Sequence, residues 1–264
     1  MIKLLRRLNQ RRKFNRVGIT PREKITSLIK KLHPYQIDKN LIRLGPNADG
    51  GYLIPDDLEN IQGCFSAGVS TVTGFEEDCL KLGMNVYMAD RSVNAPILKG
   101  DPDKYTFLKK HIGCTVNDEY ITMDAWANSL SLNEHEDLLL QMDIEGAEYM
   151  ALMNISDSLL SRFRIIVIEF HSLQFLWTPY FFDSANAVFN KLLQTHTCVH
   201  IHPNNSCGND YKLGIEIPRN AEFTFLRNDR LKFGNAPLQF PHKLDYDNTS
   251  GRQTVLPKIW YTDL

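Results

Sequence analysis

The sequence lacks the features that would place it in a specialised class. Its five cysteines, Cys64, Cys79, Cys114, Cys198 and Cys207, form no CxxC pair. So sparse and odd a set excludes the paired framework of a small secreted disulfide fold, and the thiols read as reduced groups of a cytosolic protein. No stretch reaches the ~18 unbroken apolar residues of a membrane-spanning helix, and the first residues carry no apolar centre of a secretion signal. Charge of one sign is also missing: 30 Lys and Arg stand against 31 Asp and Glu, for a formal net charge of −1. That balance excludes a nucleic-acid protein held by bulk positive potential. Internal repeats and low-complexity tracts are absent as well.

What is present is a core-forming composition. With 264 residues and 43% hydrophobic content, one large α/β domain is the simplest expectation. Residues 1–40 read as a basic N-terminal helix and a helical lead-in, 41–233 as the main domain, and 234–264 as a C-terminal strap packed on that domain through Trp260 and Tyr261. Within 1–16, Ile2, Leu5 and Leu8 recur at helical spacing among seven Lys and Arg. That pattern suits either a solvated terminal helix or peripheral contact with the anionic inner face of the plasma membrane.

Residues 137–152, DLLLQMDIEGAEYMAL, organise the reading. Leu138, Leu139, Leu140 and Met142 predict a strand buried on both faces, because a half-exposed strand would alternate apolar with polar. Asp143, Glu145 and Glu148 follow at its carboxyl end and in the first turn of a helix. Open α/β sheets bind ligands at such ends, and helix-start acids also complement the dipole. Upstream, short strands at 41–44 and 52–54 flank a turn whose Gly50 and Gly51 permit positive φ or close approach to a ligand. A strand at 63–67, a small-residue loop at 68–74 and a helix at 75–82 follow in nucleotide-binding order. The next strand, 85–89, ends at Asp90, about twenty residues beyond the loop, where dinucleotide folds set an acid on a ribose. A helix at 104–111, an edge segment at 115–122, a helix at 123–130 and a strand at 164–170 ending near Glu169 and His171 are expected next. A helix at 181–194, a strand at 198–201 and a final strand at 218–226 complete the chain. The alternation predicts a mostly parallel sheet with helices on both faces and an antiparallel C-terminal edge.

The segments GPNADGGY, FSAGVSTVTGFEED, YMADRS and MDIEGAEYMAL, in this order across 43–227, resemble the FkbM-type methyltransferases, with DIEGAE the most specific piece. The resemblance implies a class I methyltransferase (Rossmann-like) fold, S-adenosyl-L-methionine as cofactor and transfer of a methyl group to a hydroxyl. Gly68, Val69 and Ser70 would lie along the methionine part of the cofactor, Phe75 and Glu76 would open the next helix, Gly50 and Gly51 would approach it, and Asp90 would accept from both ribose hydroxyls. Asp143 would form the floor between cofactor and acceptor. The loop GVSTVTG departs from the denser GxGxG of many methyltransferases.

For catalysis His171 is the expected general base, since an imidazole titrates close to neutral pH, with Asp143 and Glu169 beside it. A strand-end histidine satisfied by a neighbour is the plain alternative. Asp143 and Glu169 also fall where catechol O-methyltransferase-like enzymes bind Mg²⁺. A divalent metal is considered there but not favoured, because imidazoles are poor Mg²⁺ ligands. His200 and His202 share a strand face without the cysteine pattern of a structural zinc site. Glu145, His202, Asn204 and Asn205, with Phe170, Phe175, Trp177, Tyr180 and Phe181, suit a sugar or glycan acceptor, as in cell-surface polysaccharide synthesis. A polyketide-like acceptor, or a non-catalytic cofactor-binding interaction protein, are the alternatives.

Overall fold

The apolar runs of the sequence become the centre of a seven-stranded sheet in the computed structural model, which describes residues 18–133, 135–235 and 238–263. The expected membrane-contact segment 1–16 lies outside the described residues. Strand β1 (Leu41–Leu44) pairs antiparallel with β2 (Tyr52–Pro55) as a separate hairpin. The main sheet is built from β3 (Ile61–Ala67), β4 (Asn85–Ala89), β5 (Tyr105–Leu108), β8 (Asp137–Met142), β9 (Phe163–Phe170), β10 (His196–Pro203) and β13 (Ala221–Arg227). Two short pairs stand apart from it: β6 (His111–Ile112) with β7 (Tyr120–Ile121), and β11 (Asn209–Lys212) with β12 (Ile215–Pro218).

The strand order is β10-β13-β9-β8-β3-β4-β5. The pairs from β9 through β5 are parallel, while β13 runs antiparallel to both neighbours. This is a class I methyltransferase sheet with its antiparallel edge. The chain leaves β3 outward through β4 and β5, then returns on the other side of β3 to make β8 and β9. The order therefore reverses between β3 and β8, and a crevice opens there at the carboxyl ends.

Layers on both faces explain the unbroken apolar runs: every residue of β9 is buried, and β8 is buried after its first residue. On one face Phe65, Leu140, Phe163 and Phe170 pack with Ile29 of α1 (Arg22–Lys31), Trp126 of α3 (Met123–Asn128), Leu152 of α4 (Glu148–Asn154), Leu159 of α5 (Asp157–Leu160) and Phe189 of α6 (Pro179–Thr195). On the other, Cys64, Leu139, Ile165 and Val167 meet Phe75 of α2 (Gly74–Lys81) and Ile54 of the β1–β2 hairpin. Each large side chain so buried contributes about 1.5–3 kcal/mol. Thr224 of β13 ties the hairpin down, its Oγ1 donating to the Leu53 carbonyl at 2.6 Å.

Two local expectations are corrected. Residues 104–111 are not a helix: one 3-10 turn, Pro102–Lys104, is capped by Asp101 accepting from the Asp103 amide, and β5 follows as the sheet's edge. Tyr105 and Phe107 pack on the core, so burial on a pleated edge overrides the helical spacing. The final strand, expected at 218–226, starts later, at Ala221, because the chain bends at Arg219 and Asn220 after β12 ends at Pro218. In the tail, Trp260 packs on Phe223 at 5.9 Å, and its indole N–H donates to the Glu216 carbonyl. Among the described residues no helix is long and apolar enough to cross a membrane.

Candidate active site

Gly68 begins the site. At φ +85° it turns the chain out of β3, with its amide donating to the Ala89 carbonyl, while the Asp143 amide donates to the Ala67 carbonyl at 2.8 Å. A Cβ at position 68 would overlap the Asp143 carbonyl, so only glycine lets the ends of β3 and β8 meet this closely.

Two adjoining cavities open above that junction. The first, about 200 Å³, is walled by Asp49, Gly50, Tyr52, Val69, Glu76 and Gln141, with Ser70 beside them. The second, about 390 Å³, is walled by Ala89, His111, Ile112, Tyr120, Ile144 and Ala147. Gly68, Asp90, Ser92, Asp143 and Glu145 line both, so the two form one bent cleft of ligand size. Asp90 stands at the bend, its Oδ1 fixed by the Ser92 amide at 2.5 Å and the Ser92 hydroxyl at 2.6 Å.

Eight of the expected residues therefore share the cleft: Gly50, Gly68, Val69, Ser70, Glu76, Asp90, Asp143 and Glu145. Phe75 lies behind the wall, its ring edge-on to Tyr52 at 5.5 Å, and Gly51 sits within the 45–51 turn against the Pro46 carbonyl. His171, Glu169, His202, Asn204 and Asn205 line neither cavity. Asn204 donates to Glu169 Oε1 at 2.8 Å, and Asn205 exchanges bonds with the backbone of Thr249 in the tail. His202 is buried beside Asp245, 3.6 Å away. Phe170 and Trp177 are core residues, not wall aromatics, while Phe175 and Tyr180 are exposed.

A buried polar chain crosses the floor, and sequence reading missed it. Ser66 Oγ lies 2.6 Å from Glu76 Oε1 and 3.0 Å from Gln141 Oε1. The Gln141 amide then donates to the Tyr52 hydroxyl at 3.3 Å, which reaches Asp143 Oδ2 at 3.5 Å. Burial raises the pKa of Glu76, and its Oε2 is buried without a partner. The available signal was a polar residue near the carboxyl end of each of two apolar strands, Ser66 and Gln141, which turn out to be register partners.

His171, just past β9, faces carboxylates on both sides. Its Nε2 lies 3.4 Å from Glu145, 3.8 Å from Asp143 and 3.8 Å from Glu169. Its Nδ1 lies 3.0 Å from Glu148. Burial lowers the imidazole's pKa, but the bond to Glu148 and the charges of Glu148, Glu169 and Asp143 outweigh it and raise the value to about 9. Burial pushes Asp143 up to about 7, with Glu145 and Glu148 adding to the rise and His171 opposing it. Burial, then Asp143 and Glu222, lift Glu169 to about 9. At neutral pH the group thus retains protons that exposed side chains would have lost. Ligand atoms of Asp143, Glu145 and His171 lie within 4.8 Å of one another and could hold a divalent cation. Glu169 stands outside that grouping, and an imidazole among the donors suits a transition metal better than Mg²⁺.

The sequence profile of the methyltransferase FkbM domain matches residues 44–217. No curated protein matches the chain at a significant level. The matched span holds both cavities, the polar floor and the His171 cluster, and covers well over half of the sequence. On that match, and on a sheet whose switch point carries the cleft, the chain belongs to the FkbM methyltransferase family.

Proposed function

We propose that the protein is an S-adenosyl-L-methionine-dependent O-methyltransferase acting on a hydroxyl of a sugar or glycan. The observation that carries this reading is the bent cleft, with a fixed carboxylate, Asp90, at its bend and the acid-ringed His171 adjoining its floor at Asp143. The residues present fit the cofactor. Gly68 lets the ends of β3 and β8 meet beneath the cleft, and the unpartnered Glu76 Oε2 suits an amino group. Asp90 would accept from the ribose hydroxyls, and Ile112 and Tyr120 offer apolar surface for a flat base. When bound, the cofactor supplies a methyl group on a positively charged sulfur. Asp143 and Glu145 present negative charge to that cation, and the floor holds donor and acceptor in line.

His171 Nε2 takes the acceptor's proton, with Asp143 and Glu169 stabilising the imidazolium that results. The sugar assignment draws on the polar lining of the cleft, where Asp49 and Glu145 offer hydrogen-bond acceptors to a polyol. Because the carboxylates raise His171 to about 9, its base form grows as pH rises, and turnover should climb from pH 7 to 9.

Calorimetry with S-adenosylmethionine and its demethylated product, followed by methyl transfer to a sugar panel, tests the proposal. Asp90→Ala should weaken cofactor binding ~10-fold or more. His171→Ala should keep that binding and lower turnover ~10²–10⁴-fold. A folded protein that binds neither cofactor form sinks the enzyme reading. A turnover insensitive to His171→Ala removes the histidine from the chemistry.

A further inference from the structure

We infer that Glu148 is a positioning residue, which holds the Nδ1 hydrogen of His171 so that Nε2 is the nitrogen turned toward Asp143 and Glu145 of the cleft wall. The inference rests on the reading of His171 as base and adds a residue that helix-start chemistry alone would have accounted for. An acid that merely complements a helix dipole stays in solvent, whereas the side chain of Glu148 is 0% exposed. Its Oε1 accepts from the amides of Ile144 at 3.2 Å and Gly146 at 3.0 Å, and lies 3.0 Å from His171 Nδ1. An oxygen already accepting two amide hydrogens is the acceptor toward the ring as well, so Nδ1 carries the hydrogen between them.

The backbone is shaped to bring those amides to the carboxylate. Glu145 at φ +55° and Gly146 at φ +102° turn the DIEG segment back over the first turn of α4. The next helix residue fixes the same target from the other side: the Tyr149 hydroxyl donates to the His171 carbonyl at 3.0 Å. Ring and backbone of His171 are therefore held by adjacent side chains of one helix. The remaining nitrogen faces Asp143, Glu145 and Glu169 and is left for proton transfer. In either charge state of the ring the Nδ1 hydrogen stays on the Glu148 side, so the role is one of orientation.

The test uses the full chain with Glu148→Gln, which keeps an acceptor oxygen, and Glu148→Met, which keeps length and loses it. A ¹⁵N-edited spectrum, assigned by its loss in His171→Ala, should show a downfield, exchange-protected Nδ1 hydrogen in the native protein. That signal should persist in Glu148→Gln and vanish in Glu148→Met. Turnover should fall ~100-fold in Glu148→Met and less than ~10-fold in Glu148→Gln, with acceptor KM and the affinity for the demethylated cofactor within ~3-fold of native. A Met variant that keeps the signal, or a Gln variant as impaired as the Met variant, overturns the assignment. Should neither variant fold, a native spectrum lacking the protected Nδ1 hydrogen overturns it, and its presence there supports it. The spectrum is read without acceptor, so failure of the methyl-transfer reading and failure of the Glu148 role are seen separately.

Discussion

His196 and His171 show how one residue type is driven in opposite directions by its surroundings. His196 is fully buried, its Nε2 donating to the Phe163 carbonyl at 2.7 Å and its Nδ1 beside the Thr195 hydroxyl at 2.8 Å. Burial lowers its pKa to about 4, since no carboxylate touches the ring to offset the loss of water. His171 pays the same desolvation, yet the acids around it win. For His196 the unfolded chain binds the proton more tightly, so its contribution to stability is full above about pH 6.5 and falls away as pH drops toward 4. The expected loss across that window is ~3 kcal/mol. Urea unfolding at pH 7 and pH 5 should show a smaller pH effect in His196→Gln than in the native protein. An identical effect in both would mean that His196 is not the group responsible.

At the scale of elements, the junction of β3 with β8 decides the site. At Gly68 a left-handed backbone and a close approach to the end of another strand coincide, and the cleft is built directly on it. Gly68→Ala should cost ~1–2 kcal/mol for the backbone conformation alone. The overlap with the Asp143 carbonyl would add to that and push the two strand ends apart. Affinity for the demethylated cofactor, measured by calorimetry on the folded variant, should drop ~10-fold or more. Native affinity in a folded Gly68→Ala protein would show that cofactor binding does not depend on this junction.

Across the whole molecule, the tail joins parts that the sheet alone leaves separate. Asp245 contacts His200 of β10 at 2.9 Å, and Asn248 bonds both Glu222 of β13 and Asp49 of the cleft wall. The tail lies beyond the matched span, yet it touches the 45–51 turn that faces the cavity. Its anchor is Trp260, which is 1% exposed and packed against Phe223. Trp260→Ala should destabilise the fold by about 3–5 kcal/mol, read as a lower urea midpoint with an unchanged slope. A change under ~1 kcal/mol would mean that the tail is docked by its polar contacts instead.

The class of fold was legible because burial on both faces leaves a continuous apolar run, as in 138–140 and 165–168, and because strands alternating with helices imply a parallel sheet. Gly68, Asp90 and Asp143 were legible for a related reason: each follows a strand directly, and the ends of parallel strands converge at a switch point. The 104–111 segment was misread because a short aromatic stretch satisfies helical and edge-strand patterns alike, and only pairing with β4 decides between them. The placement of Asn204 and Asn205 away from the cleft depended on distant partners, Glu169 and Thr249. Tyr52 reaches Asp143 across 91 positions of chain, through a hairpin whose seat is set by β9 and β13. Local pattern, governed by which faces are buried, thus determined the elements and the end of the sheet where the cleft opens. Which side chains meet there, and which nitrogen of His171 is turned toward them, follows from long-range packing that no local window of sequence contains.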